Sequence, residues 1–295
     1  MNRTWTFASD PAGWYLACPS AAVARGRSRA TRFATIVREG GGGLRAIERT
    51  SRGRDLAVAE RYGVVLVYPG TDEPPSIPTL ERFDRAVTTM GRPIRLRCEW
   101  PAVVANGFDV QHLGVVHRRA LCEPPVIAQA SPDRFRLEYV SRVTGATASD
   151  RAMRWLSGDR VRAAIECWSG TAVTVESRAG ARSAALLLCL TPEAGTVTVT
   201  PVVAVPARGP SALAQARAWA ARLLYGAFLA RDVELLDGMR FRPVPVLPED
   251  AALAECLDFL SGVRSLGDRS AEVATDVEHG RLDVAEPLAP LRTCN

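Results

Sequence analysis

"ANGFDVQHLGVVH", residues 105–117, contains two of the three histidines in the chain, with an aspartate three positions before the first of them. Asp109, His112 and His117 are either part of a ligand set or passengers on a buried amphipathic helix. On a straight helix Asp109 and His112 share a face, because residues three apart are neighbours. Residues five apart point about 140° away from each other at 3.6 residues per turn. His112 and His117 therefore converge only if the helix bends or ends between them, and Gly114 weakens it there. Two neutral imidazoles and one carboxylate leave open positions on an ion, the arrangement that non-haem ferrous centres require. On spacing alone, both readings stand.

The rest of the chain narrows the classes. It has 295 residues, of which 47% are hydrophobic and 23% charged, which suits a sizeable folded core. No apolar run approaches the ~18 residues that span a bilayer, and "MNRTWTFASDPAGWYLACPS" lacks the basic head and apolar core of a signal peptide. A cytoplasmic protein is the expectation. The seven cysteines (Cys18, Cys98, Cys122, Cys167, Cys189, Cys256 and Cys294) are scattered, without a C-x-x-C, and read as mostly buried free thiols. The net charge of +5 comes with 37 basic residues that are all arginine. They are dispersed rather than gathered into a stripe with aromatics, so nucleic-acid binding is not expected.

Residues 13–69 read as short strands: "GWYLAC", "ATRFATIVRE", "LRAIER" and "YGVVLVY". "GTDEPPSIP" (70–78) is a boundary, which divides the chain into 1–75, 76–267 and a polar tail, 268–295. After a strand-like "PIRLRCEW" and the histidine segment come "FRLEYVSRV", "RVRAAIECW", "TAVTVESRA", "SAALLLCLT" and "GTVTVTPVVAVP", an antiparallel meander. The period then changes to that of a helix over Ser211–Leu229, with Leu213, Ala216, Ala220, Leu223, Leu224 and Phe228 as its apolar positions and Pro210–Ser211 as its start. A long helix on an antiparallel sheet predicts the α+β class.

"ANGFDVQHLGVVH" resembles the mononuclear-iron motif of Rieske-type non-haem iron oxygenases, in particular the branch with 3-ketosteroid 9α-hydroxylases and cholesterol 7-desaturases. That pattern is roughly E-N-x-x-D-x-x-H-F-x-x-x-H. Asn106, Asp109, His112 and His117 fall in register, while Ala105 and Leu113 replace an acid and an aromatic. "RDVELLDGMRFRPVPVL" (231–247) resembles the stretch that carries the third iron ligand, an acid followed by an apolar pair and later P-x-L. The resemblance spans residues 12–265. It implies a helix-grip-like catalytic domain, Fe(II) held by His112, His117 and Asp232 (with Glu234 and Asp237 as rivals for the carboxylate), and Asn106 and Asp109 as catalytic residues. Asp109 would accept the second N–H of His112. The resemblance also implies a hydrophobic small-molecule substrate and a homo-oligomer, a trimer.

The N-terminal strands resemble the opening and closing parts of a Rieske domain. Its cluster needs two Cys and two His in two loops. The first loop would fall at "RTSRGRD" (49–55), which has neither residue type, and the second is deleted, with Asp55 running almost directly into the last strand. With His112 and His117 on iron, only His279 remains. The expectation is thus a reduced N-terminal all-β Rieske-like domain without a [2Fe–2S] cluster. Three functions fit: an oxygenase-like enzyme drawing electrons from a separate ferredoxin or Rieske protein, a redox-neutral cyclase or isomerase on the same scaffold, and a non-catalytic partner subunit of a full-length oxygenase. Protein produced with ample iron and sulfide should lack Rieske visible bands and the matching EPR signal. A stoichiometric [2Fe–2S] centre with histidine ligands would contradict the histidine count.

Overall fold

The computed structural model describes residues 4–50, 53–83, 85–157, 160–243 and 250–267. The downstream end of the second motif (244–247), His279 and the tail from 268 lie outside them. Among the described residues, two antiparallel sheets and five α-helices form, in keeping with the α+β expectation. Both sheets belong to one compact unit, Met1–Ser265.

The first sheet consists of β1 (Tyr15–Pro19), β2 (Ser28–Ala30), β3 (Ala34–Arg38), β4 (Leu44–Glu48), β5 (Asp55–Arg61) and β6 (Val64–Tyr68), in the order β1-β6-β5-β4-β3-β2. Its own core gathers Cys18, Ala34, Ile36, Ala46, Leu56, Val65 and Val67. One expectation is corrected here. Asp55 does not lead into the last strand but opens β5, which pairs with β6 across a two-residue turn. Tyr62 and Gly63 both have positive φ, 53° and 76°, as the twist-matched hairpin turn demands. Gly63 has a second reason to be glycine, since a Cβ there would lie 2.9 Å from Thr88 Oγ1 in the other sheet.

The second sheet contains β7 (Ala86–Met90), β8 (Ile94–Leu96), β9 (Arg119–Leu121), β10 (Val126–Ser131), β11 (Arg134–Val143), β12 (Arg160–Trp168), β13 (Ala172–Ala179), β14 (Arg182–Glu193) and β15 (Thr196–Pro206). The meander runs β10-β11-β12-β13-β14-β15-β7, with β8 also on β15 and β9 also on β11. On β11 every second residue from Phe135 to Val143 is buried, the signature of a strand with one covered face. β14 and β15 are buried on both faces through their middles. Leu186, Leu188 and Leu190 join the core under the helices. Ala185 and Ala204, on the far face, pack with Leu80 and Phe83.

Segments before and between the sheets close that far face. Trp14 Nε1 donates to Pro75 O at 2.8 Å. A Cβ on Gly13 would come within 2.2 Å of Thr171 Oγ1, so the chain before β1 lies directly against the turn between β12 and β13.

The helices are α1 (Trp100–Phe108), α2 (Val110–Val115), α3 (Ala148–Ser157), α4 (Ser211–Leu236) and α5 (Ala251–Ser261). Periodicity missed α3 and α5, and it ended α4 too early. Ala230 to Leu236 contain no glycine or proline, so the helix continues to its C-cap, Asp237, with Gly238 beyond at φ 88°. The expected apolar face is also rotated. Ala214 and Ala218 are the buried residues of the first turns, while Leu213 and Leu223 are 54% and 62% exposed. The alanines let the helix backbone approach the sheet closely, which a leucine ridge would prevent.

Deleting residues 1–70 strips the first sheet and the Trp14 region from the far side of β14. The truncated chain should be insoluble or misassembled, because the uncovered surface is apolar. A truncation that stays soluble with unchanged solution mass and melting temperature would overturn this packing role.

Candidate metal centre and cavity

Asp109 interrupts what the pattern suggests is one helix. Its backbone leaves the helical region at φ −77°, ψ 100°, ending α1 and starting α2. Its Oδ1 accepts the main-chain N–H groups of Gln111 at 2.9 Å and His112 at 3.2 Å. This is an N-cap, which typically contributes about 1 kcal/mol. The carboxylate thus fixes His112 through the start of its helix, and not by accepting the imidazole N–H as expected. Helix α2 ends at Val115, and Arg118 follows at φ 54°. The helix ends before His117, which meets the geometric condition for the two rings to converge.

His112 Nε2 and His117 Nε2 lie 2.9 Å apart, and Asp232 Oδ1 is 2.8 Å from the first and 2.9 Å from the second. All three residues are buried. Protons cannot satisfy this triangle. An imidazole nitrogen is either a donor or an acceptor, never both, so three edges between two such nitrogens and one ionised carboxylate oxygen leave one edge repulsive. A cation facing all three lone pairs satisfies every edge at once. Ligands about 2.0–2.1 Å from one ion and at right angles to each other are about 2.8–3.0 Å apart. The observed edges match one face of such an octahedron, and the three residues form a group able to hold a metal ion.

Electrostatics favour the same state. Burial pushes the Asp232 carboxyl up, but hydrogen bonds from His112 and His117 outweigh it and hold its pKa at about 2. Burial lowers His117, partly opposed by Asp232, which keeps the imidazole neutral and its lone pair available. With Nε2 turned to the centre, His117 Nδ1 carries the hydrogen, and it is buried without a hydrogen-bond partner among the described residues. Phe228 holds the ring instead, stacked at 3.4 Å between centroids and 4° between planes. Phe228 lies one helical turn before Asp232 on α4, so the same face supplies both.

The rival acids lie elsewhere. Glu234 is exposed. Asp237 is bound by Arg97, through its main-chain N–H at 2.9 Å and its guanidinium at 2.7–3.2 Å. Asn106 is half-buried on α1 and lines the cavity that the triad faces. That cavity has a volume of about 420 Å³ and runs between β11–β15 and α4. Its walls are mainly apolar, with Leu113, Ile165, Val175, Leu186 and Leu224 among them. Tyr139, whose phenol burial raises to about 12, also lines it and stays protonated at neutral pH. Arg119 is a further lining residue, and burial works against its charged form. Sequence reading missed Arg119 and Tyr139, although the strict alternation of β11 places Tyr139 on the covered face.

No protein-family model and no curated protein sequence matches the chain. Solved structures do resemble it. The Pseudomonas putida CBB5 NdmA QL mutant with theobromine has a TM-score of 0.57 at 12% identity, over 84% of this chain and 89% of that one. Dicamba monooxygenase bound to 3,6-dichlorosalicylic acid has a TM-score of 0.54 at 15% identity, over 87% and 98%. The terminal oxygenase of carbazole 1,9a-dioxygenase from Novosphingobium sp. KA1 has a TM-score of 0.57 at 13% identity, over 85% and 92%. The likeness is one of fold. Among the described residues no helix is long and apolar enough to cross a membrane.

Reconstituted with Fe(II), the protein should bind about one ion per chain. His112→Ala, His117→Ala and Asp232→Ala should each abolish binding, while Asp237→Ala should keep it. Metal analysis showing unchanged iron in the histidine variants would refute the site. Loss in Asp237→Ala with retention in Asp232→Ala would move the carboxylate ligand.

Proposed function

We propose that this chain is an oxygenase-like mononuclear non-haem iron enzyme that tailors a hydrophobic small molecule, steroid-like or polyketide-like in character. His112, His117 and Asp232 would hold Fe(II), and electrons would come from a separate ferredoxin or Rieske protein. The reading rests chiefly on one observation: three ligand atoms 2.8–2.9 Å apart face a cavity of about 420 Å³. The in-register motif and the fold shared with oxygenase structures support it.

When bound, ferrous iron with open coordination positions supplies the capacity to activate O₂. The chain's own residues do the rest. The apolar walls hold the substrate by burial and exclude water from the centre. Phe228 fixes the plane of His117, and Asp109 fixes the start of the helix that carries His112. Residues 1–75 act as a degenerate Rieske-like domain that packs rather than transfers electrons, and 76–267 form the catalytic part.

A second reading is favoured by a specific observation. Three histidines in the chain cannot supply both the iron site and a two-histidine cluster, so the chain has no electron relay of that kind. A redox-neutral cyclase or isomerase, including a pericyclase, needs none. On this reading the cavity folds a flexible substrate into a reactive shape, and the metal acts as a Lewis acid or a structural element.

Oxygen dependence separates the two. Fe(II)-loaded protein incubated with panels of steroid and polyketide substrates should form product only with O₂ and a reductant. Product formation at an equal rate under strict anaerobiosis without reductant would overturn the oxygenase reading in favour of the redox-neutral one.

A further inference from the structure

The cavity carries a charge that the metal site does not use. Five arginines line it (Arg119, Arg182, Arg208, Arg217 and Arg231) against two aspartates, Asp150 and Asp232. Both aspartates are engaged. Asp232 contacts the two histidines, and Asp150 accepts from Thr147 Oγ1 at 2.6 Å and Thr147 N at 3.1 Å, with Arg231 Nη2 at 3.6 Å.

Arg119 is different. On β9 it stands directly opposite Val143 of β11. Cross-strand partners share a face, and Val143 belongs to the buried row that also contains Tyr139 and Ser141, both cavity-lining. The register therefore turns Arg119 toward the cavity. Its Nη1 is buried and has no hydrogen-bond partner among the described residues. No ion pair among them includes it either. A guanidinium keeps its charge, and an unpaired buried donor on a charged group is costly unless a partner arrives.

We propose that Arg119 is the anion-recognising residue of the cavity, and that the substrate is an apolar molecule bearing a carboxylate or similar planar oxyanion, which Arg119 pairs while the hydrocarbon part fills the apolar walls. The planar guanidinium fork matches a carboxylate in shape as well as charge. The inference rests on reading the cavity as the substrate site.

Two probes of equal shape test it: 2-naphthoate and 2-naphthamide, titrated into the full-length chain by calorimetry with and without Fe(II). Wild type should bind 2-naphthoate at least about tenfold more tightly in both metal states, which is about 1.4 kcal/mol. Arg119→Met should remove that preference and leave 2-naphthamide affinity unchanged, which also reports an intact fold. Arg119→Lys should retain part of the preference and serves if Arg119→Met does not fold. Equal binding of both probes by wild type would overturn the proposal, as would a preference that survives in Arg119→Met, since the anion would then be held elsewhere. Iron content measured on the same samples separates the two readings. Preference lost with iron retained is the expected signature of Arg119→Met, and iron lost in the histidine variants with preference retained leaves the role of Arg119 standing.

Discussion

The contact on which the rest of this structure turns is the triangle of His112 Nε2, His117 Nε2 and Asp232 Oδ1, with edges of 2.8–2.9 Å in a buried site. An isolated buried carboxylate is among the most expensive groups to desolvate, and here it sits on the sheet-facing side of a helix whose neighbours are Phe228, Val233 and Leu236. Two imidazoles lower that cost but cannot remove it, because with the carboxylate ionised no placement of the imidazole protons satisfies all three edges. The fold around the triangle converges three elements on one point: the start of α2, the loop after it, and the last turns of α4. A chain assembled only for packing would have placed an aliphatic residue at Asp232.

Much of this architecture was legible in the sequence, and the reasons are local. Strands β12 to β15 alternate or run apolar between clear turns, so their order and antiparallel pairing follow from short connections. His112 and His117 announced themselves through scarcity and spacing, and the requirement that the helix end between them was a matter of geometry. Asp232 was reachable only through a resemblance of motif, since nothing in its own neighbourhood distinguishes it from Glu234 or Asp237. Tertiary context does: Asp237 is taken by Arg97, and Glu234, two residues on, lies about 160° around the helix from Asp232 and is exposed.

The misreadings have equally physical causes. Helix α4 outruns its apolar periodicity, which fades after Leu229, because no residue there stops a helix before Gly238. Its buried face differs from the expected one because three- and four-residue spacing of apolar positions fits more than one face of a helix this rich in alanine. The contact is made by Ala214 and Ala218, and close approach demanded small residues. Helix α3 is amphipathic yet polar overall, a short crossing between two strands that a search for strands passes over. The β5–β6 hairpin was hidden by its turn, in which Tyr62 adopts a positive φ that no composition rule assigns to tyrosine. The roles of Arg119 and Phe228 depend on which residues face the cavity, and register and helical face settle that only once the partners are known.

Asp109 shows how a motif and a function separate. The resemblance makes Asp109 a catalytic residue, so its presence reads at first as support for an oxygenase. Its carboxylate, however, caps α2 through two main-chain amides. Any protein that must break a helix here and restart it one residue later benefits from an aspartate at the break, whether or not electrons pass. Asp109 is therefore neutral between the oxygenase and the redox-neutral reading. The triad is not neutral in the same way, because its lone pairs have no structural use that aliphatic side chains would not serve better. What the geometry of the triad fits is an ion. What separates the two readings is whether electrons reach that centre, and with His112 and His117 at the triad the one remaining histidine, His279, cannot by itself complete a two-histidine cluster.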